Sequence, residues 1–144
     1  MQTNRPIRAT GSCLCGAVKY QVLGSLRPVV YCHCSQCRKT SGHFVAATAA
    51  LKENLVLVTD QGLSWYQSSA SAKRGFCGVC GSSLFWSPES DNYVAIMAGT
   101  LNQPTELEAV KHIFVLHKAD YHDLNDGLPQ RQQGDRHTIM FDDE

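Results

Sequence analysis

The 144-residue sequence has no excess of either charge, because 13 basic and 13 acidic side chains give a formal net charge of zero. The basic residues are scattered, so the electrostatic stripe of a nucleic-acid binder is missing. Long apolar runs are missing too. None approaches the ~18 residues that a membrane span needs, and the polar start of the chain, with Arg5, Pro6 and Arg8, has no export signal. The chain is therefore expected in the cytoplasm, with neither nucleic acid nor membrane as a partner. Internal repeats and low-complexity tracts are absent, and helical periodicity is scarce. What remains is 43% hydrophobic, in the size range of one ordinary domain with a core of its own.

The dominant local pattern is short strands between turns, which predicts an all-β fold. Val18, Tyr20 and Val22 alternate with Lys19 and Gln21, the period of a half-buried strand. Further strands are expected at 29–31, 44–50, 54–59, 64–67, 84–87 and 93–98. Turn signals separate them at Gly24, Gly42, Gly62, Gly75, Gly81 and Gly99. The stretch 105–117 has a helix-like first half, but its second half is rich in β-branched and aromatic residues and is read as strand. From Gln130 the sequence turns polar and loses periodicity, so 131–144 is expected to be a C-terminal extension of a domain spanning 1–130.

Against this background seven cysteines are conspicuous. An odd number cannot all pair as disulfides, and a reducing compartment favours metal ligation or catalysis over a disulfide framework. They fall into three groups: Cys13 and Cys15; Cys32, Cys34 and Cys37; Cys77 and Cys80. Residues two apart on a strand face the same way, so Cys13 and Cys15 can offer both sulfurs to one ion. Cys77 and Cys80 flank a tight turn relaxed by Gly78 and Gly81, in the manner of a zinc knuckle. Two such pairs complete a tetrahedral structural zinc site. Cys32, Cys34 and Cys37 supply three ligands to a second zinc and leave its fourth position open, as catalytic zinc sites do.

Other readings of the same residues stand beside this one. Cys77 and Cys80 could be a redox pair, and Cys32–Cys37 a metal-free redox sensor. His33 lies between two ligands and is expected to face away from them, whereas His43 is the nearest candidate to close the second site. Arg38 and Lys39 follow the cluster and could offset its charge or remain solvated. Trp65, Phe85 and Trp86 read as core or pocket wall.

Three ordered motifs, GSCLCGAVKY at 11–20, CHCSQCRKTSG at 32–42 and RGFCGVCGSSLFW at 74–86, resemble the glutathione-dependent formaldehyde-activating family. Weaker echoes follow at 99–101, 112–114 and 126–130. The resemblance implies an Mss4-like fold of two packed antiparallel sheets. It also implies that Cys13, Cys15, Cys77 and Cys80 hold a structural zinc, and that Cys32, Cys34 and Cys37 hold a catalytic one. The implied activity is that of a carbon–sulfur lyase or synthase joining a small-molecule thiol such as glutathione to an aldehyde such as formaldehyde. A zinc-stabilised binding module is the alternative for this fold. The sequence departs from the family at Asn102-Gln103-Pro104, where an acidic pair before the proline is common, and at Phe114, where Trp is frequent.

Overall fold

The computed structural model describes residues 5–134. Among them are strands β1 (Ala9–Ser12), β2 (Lys19–Val22), β3 (Val29–Cys32), β4 (Val45–Leu51), β5 (Leu55–Thr59), β6 (Leu63–Gln67), β7 (Ala72–Cys77), β8 (Ser83–Pro88), β9 (Tyr93–Met97) and β10 (Ala109–Ile113). One helix, α1 (Ser35–Ser41), follows β3. The fold is thus mostly β, in two sheets. The small sheet has the order β1-β2-β5 and the large one β10-β3-β4-β9-β8-β7-β6. Every pairing is antiparallel except that of β10, which runs parallel to β3.

The alternation around Tyr20 does what its period requires: Tyr20 and Val22 are buried and Lys19 is exposed. Tyr20 meets Phe85 of β8 edge-on, with ring centroids 5.3 Å apart, and its hydroxyl lies 2.7 Å from Thr100 Oγ1. These contacts join the small sheet to the large one. Val18, Val22, Leu84, Val94 and Ile96 complete the same core cluster. Full burial of each such side chain contributes about 1.5–3 kcal/mol. Gly11 makes the close approach possible, since a Cβ there would lie 2.6 Å from the Thr100 carbonyl oxygen and closer still to the Tyr20 ring.

Helix α1 differs from the sequence expectation of strands and turns over this stretch. Seven residues are too few to show a helical period, so the helix is defined by its ends. Cys34 is the N-cap and its sulfur accepts from the Cys37 N–H; Gly42, at φ 87°, is the left-handed C-cap and its N–H donates to the Arg38 carbonyl. The second half of 105–117 is β10 as far as Ile113. There Phe114, a non-glycine residue at φ 55°, ends the strand and starts a short 3-10 turn at Val115–His117.

Beyond that turn the chain returns along β10. His112 N–H donates to the Pro129 carbonyl, and Arg131 N–H to that of His112 (both 2.9 Å); Val115 N–H donates to the Arg131 carbonyl at 3.0 Å. Of the polar extension expected over 131–144, the first residues are held by this backbone ladder, and those from 135 onward lie outside the described residues.

Candidate metal centres and cavity

The ends of β1 and β7 bring four cysteines together. The sulfurs of Cys13, Cys15, Cys77 and Cys80 all lie within 4.8 Å of one another. Zinc–sulfur bonds of about 2.3 Å in a tetrahedron put the sulfurs ~3.8 Å apart. The Cys13–Cys15 and Cys15–Cys77 separations are both 3.8 Å, the spacing such an ion asks for. Backbone N–H groups already point at the sulfurs, Val18 at Cys13 (3.3 Å) and Cys80 at Cys77 (3.4 Å). Ser82 Oγ accepts from Leu14 N–H at 3.0 Å, which leaves its hydroxyl proton for Cys80 Sγ, 3.2 Å away. That serine is the main reason the Cys80 thiol is pulled down to about 5. At Cys13 burial works to raise the pKa, but bonds from Val18, Cys77 and Cys15 outweigh it and the result is lowered. Gly62 makes room here, since a Cβ at that position would lie 3.0 Å from Cys77 Sγ.

A second cluster forms where β3 passes into α1. Cys32, Cys34 and Cys37 also lie within 4.8 Å of one another, with Cys37 N–H donating to Cys34 Sγ at 3.3 Å. Hydrogen bonds from Cys32 and Cys37 draw the Cys34 thiol down to about 2, while Cys32 is pushed far up, chiefly by its bonds to Cys34 and Cys37. A divalent cation would allow all three to be thiolates, which is the donor chemistry of a zinc site with one position left over. Among the described residues no fourth His, Cys, Asp or Glu ligand atom joins the group.

The histidines have other partners. His43 Nδ1 lies 2.9 Å from the Tyr121 hydroxyl. His33 turns to the opposite side of the strand end, where its Nε2 is 2.8 Å from His112 Nδ1 and His112 Nε2 is 2.8 Å from Asp126 Oδ2. A carboxylate only accepts, so His112 carries its proton on Nε2, and His33 then donates from Nε2 to His112 Nδ1. Burial first, then the neighbouring His112, lowers His33 to about 4, so it is neutral at pH 7.

The three-cysteine cluster opens into a cavity of about 690 Å³. That volume lies within the ~300–1,000 Å³ typical of small-molecule sites. Val45, Ala47, Trp86, Tyr93, Ala95 and Met97 form much of its apolar wall, and Phe114 and Gly134 close one side. Gly134 packs on the Phe114 ring, where a Cβ would lie 2.8 Å from ring carbons. The cavity therefore includes a residue from the segment read in the sequence as an extension. Trp86 and Phe85 divide the roles expected for them: Trp86 lines the cavity and Phe85 is core.

Arg38 and Lys39 do not line the cavity; among the described residues its cations are Arg27 and Arg74. Arg27 is buried and donates to the carbonyls of Ala47 (2.9 Å) and Pro28 (3.3 Å). Arg74, on β7, approaches the cluster itself: its Nη2 is 3.7 Å from Cys37 Sγ and 3.4 Å from Gln36 Oε1. Sequence reasoning missed Arg74. The available signal was its place as the first residue of the RGFCGVCGSSLFW motif, three residues before Cys77.

A family model described as "Glutathione-dependent formaldehyde-activating enzyme" matches residues 8–117. A protein of Halomonas elongata bearing the provisional name glutathione-dependent formaldehyde-activating enzyme is 31% identical over 123 residues, covering 77% of this chain and 77% of its own. An uncharacterized lyase of Schizosaccharomyces pombe is 31% identical over 77 residues, covering 53% of this chain and 55% of its own. The crystal structure of a Rhodobacter sphaeroides protein superposes with a TM-score of 0.56 at 28% identity, covering 70% of this chain and 99% of that one.

Proposed function

Because the chain belongs to the glutathione-dependent formaldehyde-activating family, we propose that it is a zinc-dependent carbon–sulfur lyase or synthase acting on a small thiol of the glutathione kind and an aldehyde such as formaldehyde. The observation that carries this reading is the contrast between the two clusters. Four cysteines complete one site, whereas Cys32, Cys34 and Cys37 stop at three on the wall of a cavity large enough for a peptide-sized thiol. In this reading Cys13, Cys15, Cys77 and Cys80 hold a structural zinc, and Cys32, Cys34 and Cys37 a catalytic one.

When bound there, zinc would stabilise a substrate thiol as its thiolate at neutral pH. The protein's own groups do the rest. The Cys37 N–H fixes the Cys34 sulfur, and Trp86 and Tyr93 line the space in which the substrate would react. The substrate sulfur gives an electron pair to the aldehyde carbon, and the carbonyl π pair moves to oxygen. That oxygen takes up one proton, replacing the one the thiol released, so thiol plus aldehyde gives a hydroxymethyl thioether. The reverse sequence cleaves the same bond. Cavity and cysteines contribute mainly positioning.

Cobalt substitution tests the assignment. The visible thiolate-to-metal band is expected to change when glutathione is added, to stay unchanged with an analogue lacking sulfur, and to accompany thioether formation from glutathione and formaldehyde above the spontaneous rate. An unaltered spectrum at millimolar glutathione together with no catalysed thioether would reject the enzyme and leave a zinc-stabilised binding module.

A further inference from the structure

Resting on the reaction proposed above, we infer that Arg74 is a catalytic residue whose guanidinium donates to the aldehyde oxygen as negative charge develops on it. Three observations carry this. First, Arg74 Nη2 stands 3.7 Å from Cys37 Sγ, so it reaches atoms one or two bonds from a substrate sulfur that joins the cluster. The carboxylates of a peptide-sized thiol are several bonds further off. Second, Arg74 lines the cavity and its Nε has no hydrogen-bond partner in the structure, so the fork keeps donor capacity beyond its contacts to Cys37 and Gln36. Third, the other cavity cation, Arg27, directs Nη2 at the Ala47 carbonyl, whereas Arg74 directs Nη2 at a cluster sulfur.

The placement is built into the fold. β7 is paired on both sides, with Arg74 opposite Tyr66 of β6 and Trp86 of β8. Three residues further on, the strand ends in Cys77 of the four-cysteine cluster. Gln36 Oε1, 3.4 Å from Nη2, orients the fork from α1. The guanidinium is therefore aimed before substrate arrives, which is where electrostatic stabilisation of a developing alkoxide gains most. In the reaction step the C–S bond forms and the C=O π bond breaks. The new alkoxide accepts the Arg74 hydrogen bond and then takes its proton from water; Arg74 stays protonated throughout. In the reverse direction the same contact stabilises the alkoxide from which carbonyl and thiolate separate.

The test uses the zinc-loaded full chain with Arg74→Gln, Arg74→Lys and Arg74→Ala, glutathione and formaldehyde as substrates, and zinc counting on every sample. Glutathione binding without aldehyde is read from intrinsic tryptophan fluorescence in a Trp65→Phe background, which leaves Trp86 of the cavity wall as the reporter. Expected for Arg74→Gln is a fall in kcat of about a hundredfold, the usual effect of one oxyanion donor, with zinc content and glutathione affinity retained. Arg74→Lys, which keeps the charge but not the fork, should fall between it and the wild type. Free guanidinium should restore part of the kcat of Arg74→Ala and leave the wild type unchanged. Loss confined to glutathione affinity would instead make Arg74 a carboxylate anchor. Loss of one zinc from both Arg74→Gln and Arg74→Lys would make it a charge partner of the cluster. Either outcome, or an unchanged kcat, overturns the inference while the proposed reaction stands. A wild type that forms no thioether removes the reaction and this role together.

Discussion

Replacing Cys15 and Cys80 together by Ala should remove the structural zinc with little damage to packing. Cys15 is exposed and Cys80 only half-buried, whereas Cys13 and Cys77 are 3% and 0% exposed and belong to the core. Cys15 and Cys77 stand 62 positions apart in the chain. In the unfolded chain an ion held by both pairs must close that segment, at a cost of ~4 kcal/mol. The folded chain has the pairs together already, so the ion favours it by up to that amount, and by less where the unfolded chain does better holding the ion on one pair or releasing it. Set against the ~5–15 kcal/mol total of an ordinary domain, ~4 kcal/mol is a large share. At ~2–4 °C per kcal/mol it corresponds to a fall in melting temperature of about 10 °C. Urea denaturation followed by circular dichroism, with zinc counted in the same samples, measures it. A repeat at two buffered zinc levels separates the cases: tenfold more free zinc adds ~1.4 kcal/mol to the wild type if the unfolded chain releases the ion, and nothing if it does not. The reasoning is refuted if the double variant loses one zinc and keeps its urea midpoint. Retention of the full zinc content would show that these cysteines are not ligands.

Cys34→Ser should lower zinc by about one ion per chain and leave the circular dichroism spectrum intact, because its cluster lies within the β3–α1 junction; global unfolding would contradict this separation. Gly11→Ala should cost about 1–3 kcal/mol in urea titration, since its Cβ would meet the Tyr20 ring and the Thr100 carbonyl, and an unchanged midpoint would mean that the two sheets separate freely there. His112→Leu removes the acceptor of buried His33 Nε2–H and should cost about 1–3 kcal/mol, read as a lower urea midpoint; a midpoint equal to the wild type would show that His33 finds another partner.

Strands whose residues alternate or are mostly apolar, such as β2 and β4, could be read from the sequence because burial of one face or both is written in the residue types. β7 could not. Its sequence, AKRGFC, has two adjacent cations and a glycine, and its strand character comes from pairing with β6 and β8. Gly75 is needed there because a Cβ would lie 2.9 Å from the Trp65 ring, a reason that exists only once the strands are paired. The same limit hid Arg74, which is 37 residues from Cys37 in the chain and reaches it only through the sheet. The grouping of the cysteines was easier to read, because paired spacing is a local property and metal chemistry asks for few donor types. Which histidines join them was decided by tertiary partners: Tyr121 for His43, His112 for His33.

The position of Gly134 in the cavity wall has a consequence for the order of events during synthesis. A nascent chain is released from its N-terminus, so all seven cysteines are available once residue 80 has emerged. The cavity must wait for Ile113 and Phe114, and its last side closes only when Gly134 arrives. A chain halted between these points carries all the cysteines of both clusters but lacks part of the cavity wall. Under the proposed function, the donors of both clusters are thus synthesised before the last wall of the cavity they would serve.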